Sequence, residues 1–258
     1  MKALEGRRAI VTGAARGIGA AAARRFCEEG ARVVLVDLDD SVAATAADLE
    51  TAGFDAHGRA VDVTDEAAVR SVIDESAELL GGLDLALANA GVLSLRPLAR
   101  LSLAEFERTL RVNVLGTFLT FKHSLPYLRA AGGGTLLCTA SQAGVHGYRE
   151  MSAYCASKFA VVGLVESLAQ ELAADSIRVC AVAPGITETA MYRELVDERA
   201  RLWATDQGAA QERMQRTVPL GRPATPEEVA DAFVYLASPA ASYVSGIALV
   251  IDGGELSG

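Results

Sequence analysis

Short apolar runs alternate along this chain with longer amphipathic segments, and this alternation constrains the fold more than any other feature. The runs are rich in β-branched residues and apolar at almost every position, as strands are when both faces of their sheet are covered. There are seven of them: RRAIVT, ARVVLVD, HGRAVDV, LDLALAN, GTLLCTA, IRVCAVA and IALVIDG. Segments with helical spacing lie between them, at residues 17–29, 41–52, 65–80, 102–130, 152–174 and 226–237. The pattern predicts an α/β fold, a doubly wound seven-stranded parallel sheet with helices on both faces.

One segment departs from this rhythm. Residues 190–217 follow the sixth strand, are rich in charge, and contain Trp203, the only tryptophan. They could form a pair of solvated amphipathic helices, or a mobile lid over a substrate pocket, because open α/β sheets bind ligands beyond the carboxyl ends of their strands. Since no linker, repeat or low-complexity tract divides the chain, we expect residues 1–258 to form a single domain with this insertion.

Composition excludes several classes of protein. A net charge of −9 and a pI near 4.9 leave no basic surface for nucleic acid. The first residues lack the apolar core of a signal peptide, and no apolar run approaches the roughly 18 residues of a membrane span, so we expect a cytoplasmic protein without a membrane partner. The cysteines and histidines are too scattered for a metal site, and the cysteines lie in apolar runs, which favours packed thiols.

A glycine-rich stretch, TGAARGIG, directly follows the first strand and opens the next helix. Its glycines permit a tight turn, and the amino end of the helix offers N–H groups to a pyrophosphate. The spacing differs from GxGxxG, so a plain strand-to-helix turn is the alternative. The candidate cofactor contacts in this stretch are Gly13, Arg16, Gly17, Ile18 and Gly19.

Polar and small residues also end the second, third and fourth strands. Asp37 lies about 20 residues beyond the glycine loop, where a carboxylate can bind both hydroxyls of an adenosine ribose and repel a 2′-phosphate. NAD is therefore favoured over NADP, although Arg16 could pair with such a phosphate, contact the pyrophosphate or simply face solvent. The remaining candidates, near the adenine and along the dinucleotide, are Asp62, Val63, Asn89, Ala90 and Gly91. Together these positions predict a Rossmann-type sheet that binds NAD.

The stretch SAYCASKF places Tyr154 and Lys158 on one face of a helix. A free tyrosine has a pKa of about 10, and an ammonium together with a positive nicotinamide ring could supply the roughly 4 kcal/mol that brings it near neutrality. Tyr154 would then take a proton from an alcohol or give one to a ketone. Ser141 ends the fifth strand, where its hydroxyl could donate to the developing alkoxide. Asn113 lies in an apolar helix, either satisfied locally or anchoring a water that relays protons to Lys158.

The motifs TGAARGIG, NAG and YCASK together resemble those of the short-chain dehydrogenase/reductase family, and the resemblance extends from residue 7 to residue 254. It implies a TGxxxGxG cofactor loop, an NAD-dependent oxidoreductase that interconverts a secondary alcohol and a ketone, and a homotetramer assembled through long helices. The catalytic residues that it implies are Asn113, Ser141, Tyr154 and Lys158. Lys158 is also implied to bind the nicotinamide ribose. The implied contacts at the nicotinamide end are Pro184, Gly185, Ile186, Thr187 and Thr189.

The substrate pocket should lie beside Ser141, where Gln142 and Tyr148 are candidate substrate contacts. Gln142 could bond a second hydroxyl or carbonyl of the substrate, or only support its loop. This region is similar to that of acetoin reductases and of butanediol and polyol dehydrogenases, which favours a small diol, hydroxyketone or sugar alcohol. One alternative is an NADPH-dependent 3-oxoacyl-thioester reductase, which Asp37 disfavours. The other is a non-catalytic dinucleotide-sensing protein, which would not need four catalytic groups.

Overall fold

All seven predicted strands form in the computed structural model, which describes residues 2–257. The strands are β1 (Arg8–Thr12), β2 (Arg32–Asp37), β3 (Ala56–Ala60), β4 (Leu85–Ala88), β5 (Gly134–Thr139), β6 (Ile177–Pro184) and β7 (Ala248–Ile251). They join one sheet in the order β3-β2-β1-β4-β5-β6-β7, and every neighbouring pair is parallel. The predicted Rossmann-type, doubly wound sheet is confirmed, and its order reverses between β1 and β4, where such sheets bind ligands.

Nine α-helices, five of them with a side-chain cap at the start, lie within residues 2–257. They are α1 (Gly17–Glu28), α2 (Val42–Thr51), α3 (Glu66–Leu80), α4 (Leu103–Leu110), α5 (Gly116–Ala130), α6 (Ser152–Glu171), α7 (Ala190–Trp203), α8 (Gln207–Gln215) and α9 (Pro226–Ala237). Asp65, for example, accepts two N–H groups of the first turn of α3, and Thr225 and Glu228 form a capping box around the start of α9. These caps satisfy N–H groups that have no partner inside the helix.

Each face of the sheet has its own apolar core. Because side chains alternate along a strand, Ile10 packs on one face while Ala9 and Val11 pack on the other. Helices α1, α2 and α9 cover the first core, and α3, α5 and α6 cover the second. The central strands are therefore buried on both sides, which explains their continuous apolar sequences.

The prediction that all seven strands are buried on both faces is wrong for the two edge strands. Arg59 and Ala60 of β3 are exposed, and every residue of β7 is only partly buried. Both strands lie at the ends of the sheet, where each has a neighbouring strand along one edge only. An apolar run therefore indicated a strand without indicating its position in the sheet.

Two segments differ from the regular pattern near the cleft. The predicted helix over residues 102–130 is interrupted by a π-helical turn, Arg111–Leu115, between α4 and α5. Such turns occur frequently at functional sites, and Asn113 lies at its centre. The insertion at residues 190–217 forms the helix pair α7 and α8, whose buried residues Tyr192, Val196 and Met214 make a small core of their own. The pair of helices is confirmed, and the mobility of a lid stays a prediction.

Candidate active site

The carboxyl ends of the strands open into a cleft of about 1470 Å³. It extends from Asp37 at the end of β2 to Tyr154 on α6 and to the inner side of α7. Every predicted site residue lines this cleft except Gly19 and Asn113. The fold therefore brings together residues from more than half of the chain, and two of the predicted residues support the cleft from behind.

Glycines allow the loop after β1 to pass close to its neighbours. Gly13 and Gly17 have φ values of 65° and 60°, a region that strongly favours glycine. A Cβ on Gly13 would lie 2.7 Å from the Cα of Ala90, and one on Gly19 would overlap the carbonyl oxygen of Gly13. Gly19 therefore permits the close packing of α1 against the loop. Within residues 2–257, no side chain caps the first N–H groups of α1. The first residues of this helix, Gly17 and Ile18, line the cleft, so these N–H groups are available to an anion there.

Asn89 holds this loop in place. Its Nδ2 donates to the carbonyl oxygens of Thr12 and Gly13, at 3.1 and 2.9 Å, and its Oδ1 accepts from the Thr139 hydroxyl at 2.8 Å. The side chain thus joins the ends of β1, β4 and β5. Asn89 was predicted as a cofactor contact, and although it lines the cleft, its amide is engaged by the protein.

Two carboxylates lie at the far end of the cleft. Asp37 accepts hydrogen bonds from the main-chain N–H groups of Ala15 (2.9 Å) and Asp39 (3.0 Å). Asp39 in turn forms an exposed ion pair with Arg16, with 3.1 Å between Nη1 and Oδ2. Arg16 therefore already has an anionic partner, and Asp37 has no cation within salt-bridge distance among the described residues. Nearby, Asp62 accepts from the N–H of Thr64, which leaves Val63 against the cleft.

Tyr154, Lys158 and Ser141 meet at the other end. Tyr154 and Lys158 are 8% and 4% exposed, and the Nζ of Lys158 lies 5.7 Å from the centroid of the Tyr154 ring. Nζ donates to the carbonyl oxygen of Thr139 at 2.7 Å. The Ser141 hydroxyl accepts from the N–H of Ala143 at 3.1 Å, so its own proton can be donated into the cleft.

Burial dominates the titration of this pair. It raises the pKa of Tyr154 to about 12, an effect that the Ser141 hydrogen bond only partly offsets. It also lowers the pKa of Lys158 to about 8. The lysine alone does not bring the pKa of Tyr154 close to neutrality, and the expectation that it does so together with a positively charged nicotinamide ring stays a prediction. Lowering the pKa of Tyr154 from about 12 to neutrality would require about 7 kcal/mol from additional positive charge, rather than the roughly 4 kcal/mol for a free tyrosine.

Asn113 is 1% exposed and fully engaged. Its Oδ1 accepts from the N–H of Val92 at 2.8 Å, and its Nδ2 donates to the Val92 carbonyl (3.1 Å) and to the Ser157 hydroxyl (2.9 Å). The local hydrogen bonds that were one of its two interpretations are thus present. They fix the segment that follows β4 against α6, at the residue before Lys158, while the water relay stays a prediction.

Gln142 and Tyr148 lie in the cleft as predicted, together with Glu255, which the sequence did not indicate. The Nε2 of Gln142 donates to Glu255 at 3.0 Å, and the hydroxyl of Thr217 donates to the same carboxylate at 2.8 Å. Among the described residues, the Oε1 of Gln142 and the hydroxyl of Tyr148 are buried without a hydrogen-bond partner. Burial and the charges of Glu255 and Asp252 raise the pKa of Tyr148, so its hydroxyl keeps its proton.

The segment after β6 leads from the cofactor end to α7. Thr189 caps α7, because its hydroxyl accepts from the N–H of Tyr192 at 3.2 Å. Its methyl group would lie 3.3 Å from a Cβ on Gly17, so this segment borders the glycine loop. The other predicted residues here, which also line the cleft, are Pro184, Gly185, Ile186 and Thr187.

Comparison with known proteins agrees with this geometry. A family model described as enoyl-(acyl carrier protein) reductase matches residues 13–255. The cis-4-hydroxycyclohexanecarboxylate dehydrogenase of Sinomonas cyclohexanicum is 41% identical over 95% of this chain and 95% of its own length. The chain belongs to the short-chain dehydrogenase/reductase family.

Two further relatives extend along nearly the whole chain. The D-threitol dehydrogenase of Mycolicibacterium smegmatis is 39% identical over 97% of this chain and 93% of its own. A solved structure from Beutenbergia cavernae, described as a candidate NAD(P)-dependent gluconate 5-dehydrogenase with NADP bound at low occupancy, superposes with a TM-score of 0.89. It is 36% identical and covers 99% of both chains. Like these short-chain dehydrogenase/reductase relatives, the protein is an oxidoreductase, and its family binds a nicotinamide cofactor.

The residues present fit the nicotinamide dinucleotide of this short-chain dehydrogenase/reductase fold. Gly13 and Gly17 have positive φ values, and the start of α1 has no capping side chain. The space beside this loop can therefore hold a pyrophosphate, whereas side chains in place of the glycines would fill it. The cleft extends from Asp37 to Lys158, as a site for an extended dinucleotide must. Residues 2–257 contain no group of three His, Cys, Asp or Glu side chains arranged to hold a metal ion. No helix in that range is long and apolar enough to cross a membrane.

We expect Lys158→Met to increase the free energy of unfolding at pH 7 while removing activity. The folded protein holds the pKa of Lys158 at about 8, below the 10.5 of the ordinary side chain, so burial of the charged form opposes folding below pH 8. This amounts to about 3 kcal/mol, less about 1 kcal/mol for the Thr139 carbonyl that loses its donor. The advantage of the variant should decline between pH 8 and pH 10.5. Urea unfolding at pH 7 and pH 10 measures it, and equal differences at both would contradict the buried-ammonium account.

Proposed function

We propose that the protein is an NAD-dependent dehydrogenase that interconverts a secondary alcohol and a ketone, acting on a small diol, hydroxyketone or sugar alcohol. The observation that carries the proposal is the convergence of Ser141, Tyr154 and Lys158 on one end of a cleft whose other end is bordered by Asp37. A protein that only sensed a dinucleotide would gain nothing from burying a lysine beside a tyrosine at this position.

In the proposed reaction the chain's own residues manage the proton and the oxygen. Tyr154 removes the proton from the substrate hydroxyl, and Ser141 donates a hydrogen bond to the oxygen as it becomes a carbonyl. Lys158 stays protonated at neutral pH, because its pKa is about 8, and it favours the phenolate of Tyr154. A nicotinamide held between Lys158 and the segment after β6 would supply the acceptor for the hydride of the carbinol carbon. Asn113 acts as a positioning residue by holding the wall that packs against α6.

Asp37 supports the choice of NAD. A 2′-phosphate beside the ribose would meet the Asp37 carboxylate and the nearby Asp39, and repulsion between like charges at such a distance is only weakly screened in a cleft. Arg16, which lines the cleft at this end, is already paired with Asp39. The same charges argue against the NADPH-dependent 3-oxoacyl-thioester reductase. The Beutenbergia cavernae relative holds NADP, so the preference of this chain needs its own measurement.

The proposed substrate class rests on the polar groups beside the reacting end. The relatives named above act on a hydroxylated ring and on threitol, each with a secondary alcohol. The unpartnered Oε1 of Gln142 can accept from a second hydroxyl, and the unpartnered Tyr148 hydroxyl can donate to it. Because Glu255 fixes the amide of Gln142 through Nε2, the oxygen is left for the ligand. A diol or hydroxyketone would satisfy both buried groups.

A panel of diols, polyols, hydroxyketones and simple secondary alcohols, followed by NADH formation or consumption, tests this function. We expect Gln142→Ala to reduce kcat/KM for vicinal diols by about tenfold and for simple alcohols by less than threefold, since only a diol uses the lost acceptor. Gln211→Ala, an exposed glutamine of α8, is the matched control. Equal losses for both substrate classes would leave Gln142 as loop support only. An inactive wild-type enzyme across the whole panel would contradict the proposed substrate class.

The remaining expectations are also proposals. Residues 1–258 would form one domain of a cytoplasmic protein, with α7 and α8 acting as the lid. Ion pairs from α7, Arg199 to Glu150 and Glu198 to Arg96, would hold the lid closed over the pocket. A homotetramer would bury the outer faces of α5 and α6, where Phe118 is exposed.

A further inference from the structure

Three guanidinium groups lie together at the substrate end of the cleft, and the proposed reaction uses none of them. Arg149, Arg199 and Arg213 all line the cleft, as does Trp203. The guanidinium carbons of Arg199 and Arg213 lie 5.3 and 4.2 Å from the centroid of the Trp203 ring, so they are at most 9.5 Å apart, the sum of those distances. Arg199 also donates to the Arg149 carbonyl at 3.3 Å. This bond places the main chain of Arg149 against Arg199, and the charges of Arg149 and Arg213 both lower the pKa of Arg199, so the three guanidinium groups lie within electrostatic range of one another.

Only one of these cations has a carboxylate partner within the described part of the chain. Arg199, whose side chain is 11% exposed, pairs with Glu150 at 2.6 Å. Glu150 has a φ of 65°, which is unfavourable for a residue with a side chain, so the local structure bears strain at this ion pair. Arg149 and Arg213 form no ion pair with any residue from 2 to 257.

Two other acids line this part of the cleft, and within residues 2–257 neither forms an ion pair with the cluster. Glu255 instead accepts hydrogen bonds from Gln142 and Thr217. Glu194 is exposed on α7 and lies five residues from Arg199, on a different side of the helix. The charges of Arg149 and Arg213 therefore remain available, and both oppose the positive charge of Arg199.

The cluster lies close to the reacting groups. Leu195 and Leu202 of α7 pack against the buried cluster that contains Tyr154. Arg199 lies between them in sequence, four residues after Leu195 and three before Leu202, so the three share one helix face. The arginines and Tyr154 therefore line the same part of the cleft.

We propose that Arg149 and Arg213, supported by Trp203 and Arg199, bind a carboxylate of the substrate. The substrate is then a secondary alcohol that carries an anionic group several carbons from the carbinol. Arginine suits this role because its planar fork donates two parallel hydrogen bonds to a carboxylate, and stacking on an indole holds the fork while leaving its N–H edge free. The proposal rests on the proposed function for the carbinol end and adds the chemistry of the other end.

A series of hydroxy acids and their amides tests the kinetic consequence. The acids are 3-hydroxybutanoate, 4-hydroxypentanoate, 5-hydroxyhexanoate and 6-hydroxyheptanoate, each compared with its neutral amide and with 2-hexanol. We expect kcat/KM for the best acid to exceed that of its amide by at least about tenfold. Arg149→Gln and Arg213→Gln should each remove most of this preference while changing kcat/KM for the amides less than twofold. Arg216→Gln, an exposed arginine paired with Glu212 on the same helix, should change neither.

Trp203 provides a second measurement that needs no turnover, because it is the only tryptophan. Hexanoate should change its fluorescence with a Kd about tenfold lower than that of hexanamide, and Arg149→Gln should abolish the difference. Hexanesulfonate and hexyl phosphate, measured alongside, show whether the site prefers a carboxylate. Equal responses to hexanoate and hexanamide, or a hexanoate response that both variants keep, would overturn the proposal. If no alcohol in either series is oxidised, the proposed function fails, and the fluorescence result still decides on the anion site.

Discussion

Tyr154→Phe is expected to lower kcat by about 10³-fold without changing the fold or the affinity for NAD. Tyr154 is the buried hydroxyl that lies beside both Lys158 and Ser141 at the end of the cleft. A positioned acid or base contributes typically about 10² to 10⁴-fold, and phenylalanine preserves the ring while removing the group that carries the proton. The loss should appear in kcat and kcat/KM to a similar extent, since the interaction is made chiefly in the transition state.

Steady-state kinetics and an NAD titration measure this result, and Tyr148→Phe is the matched control. Both tyrosines line the same cleft and are partly or fully buried, but among residues 2–257 only the Tyr154 ring has a lysine beside it. We expect Tyr148→Phe to raise KM for diols severalfold and to leave kcat within about threefold. A larger loss of kcat in Tyr148→Phe than in Tyr154→Phe would mean that Tyr148, and not Tyr154, transfers the proton.

Asp37→Asn is expected to shift the ratio of kcat/KM for NAD over NADP toward NADP by about 100-fold, or about 2.7 kcal/mol. The substitution keeps an acceptor oxygen for one of the N–H groups of Ala15 and Asp39 and loses the hydrogen bond to the other, at a cost of about 1 kcal/mol. It removes the charge that a 2′-phosphate would meet, and it weakens the hydrogen bonds to the ribose hydroxyls of NAD.

The companion variant Asp39→Asn separates this effect from a general loss of negative charge. Asp39 is exposed and its carboxylate is already paired with Arg16, so its neutralisation should shift the cofactor ratio by less than about tenfold. Dissociation constants for NAD and NADP, measured by calorimetry, should follow the same order as the kinetic ratios. If the wild-type enzyme prefers NADP, or if Asp39→Asn has the larger effect, Asp37 does not determine the cofactor.

The sequence predicted the parts of this molecule that depend on local spacing. The apolar runs correspond to the strands, and the glycine loop, Ser141 and the Tyr154–Lys158 pair lie where strand ends and one helix face would put them. These predictions succeeded because a parallel sheet gathers the carboxyl ends of its strands at one edge. Motif and topology together are enough to locate such a cleft.

The remaining features depend on contacts between distant segments. Glu255 reaches Gln142 across 113 residues, and nothing in its own neighbourhood marks it as part of the cleft. The cluster of Arg149, Arg199 and Arg213 likewise forms only when α7 and α8 fold back over the loop before α6. The pKa of Tyr154 was expected to fall because the lysine could be counted in the sequence, whereas the burial that raises it could not.

The hydrogen bonds of Asn89 have a consequence for redesign of the cofactor loop. Asn89 joins the Gly13 carbonyl to the Thr139 hydroxyl, and the carbonyl of that same threonine holds the ammonium of Lys158. The glycine loop at one end of the cleft is thus connected to Lys158 at the other end through Asn89 and Thr139. Changing the shape of the glycine loop to fit another cofactor would therefore also move Thr139, whose carbonyl binds the Lys158 ammonium beside Tyr154. The pH optimum of such a variant should change along with its cofactor preference.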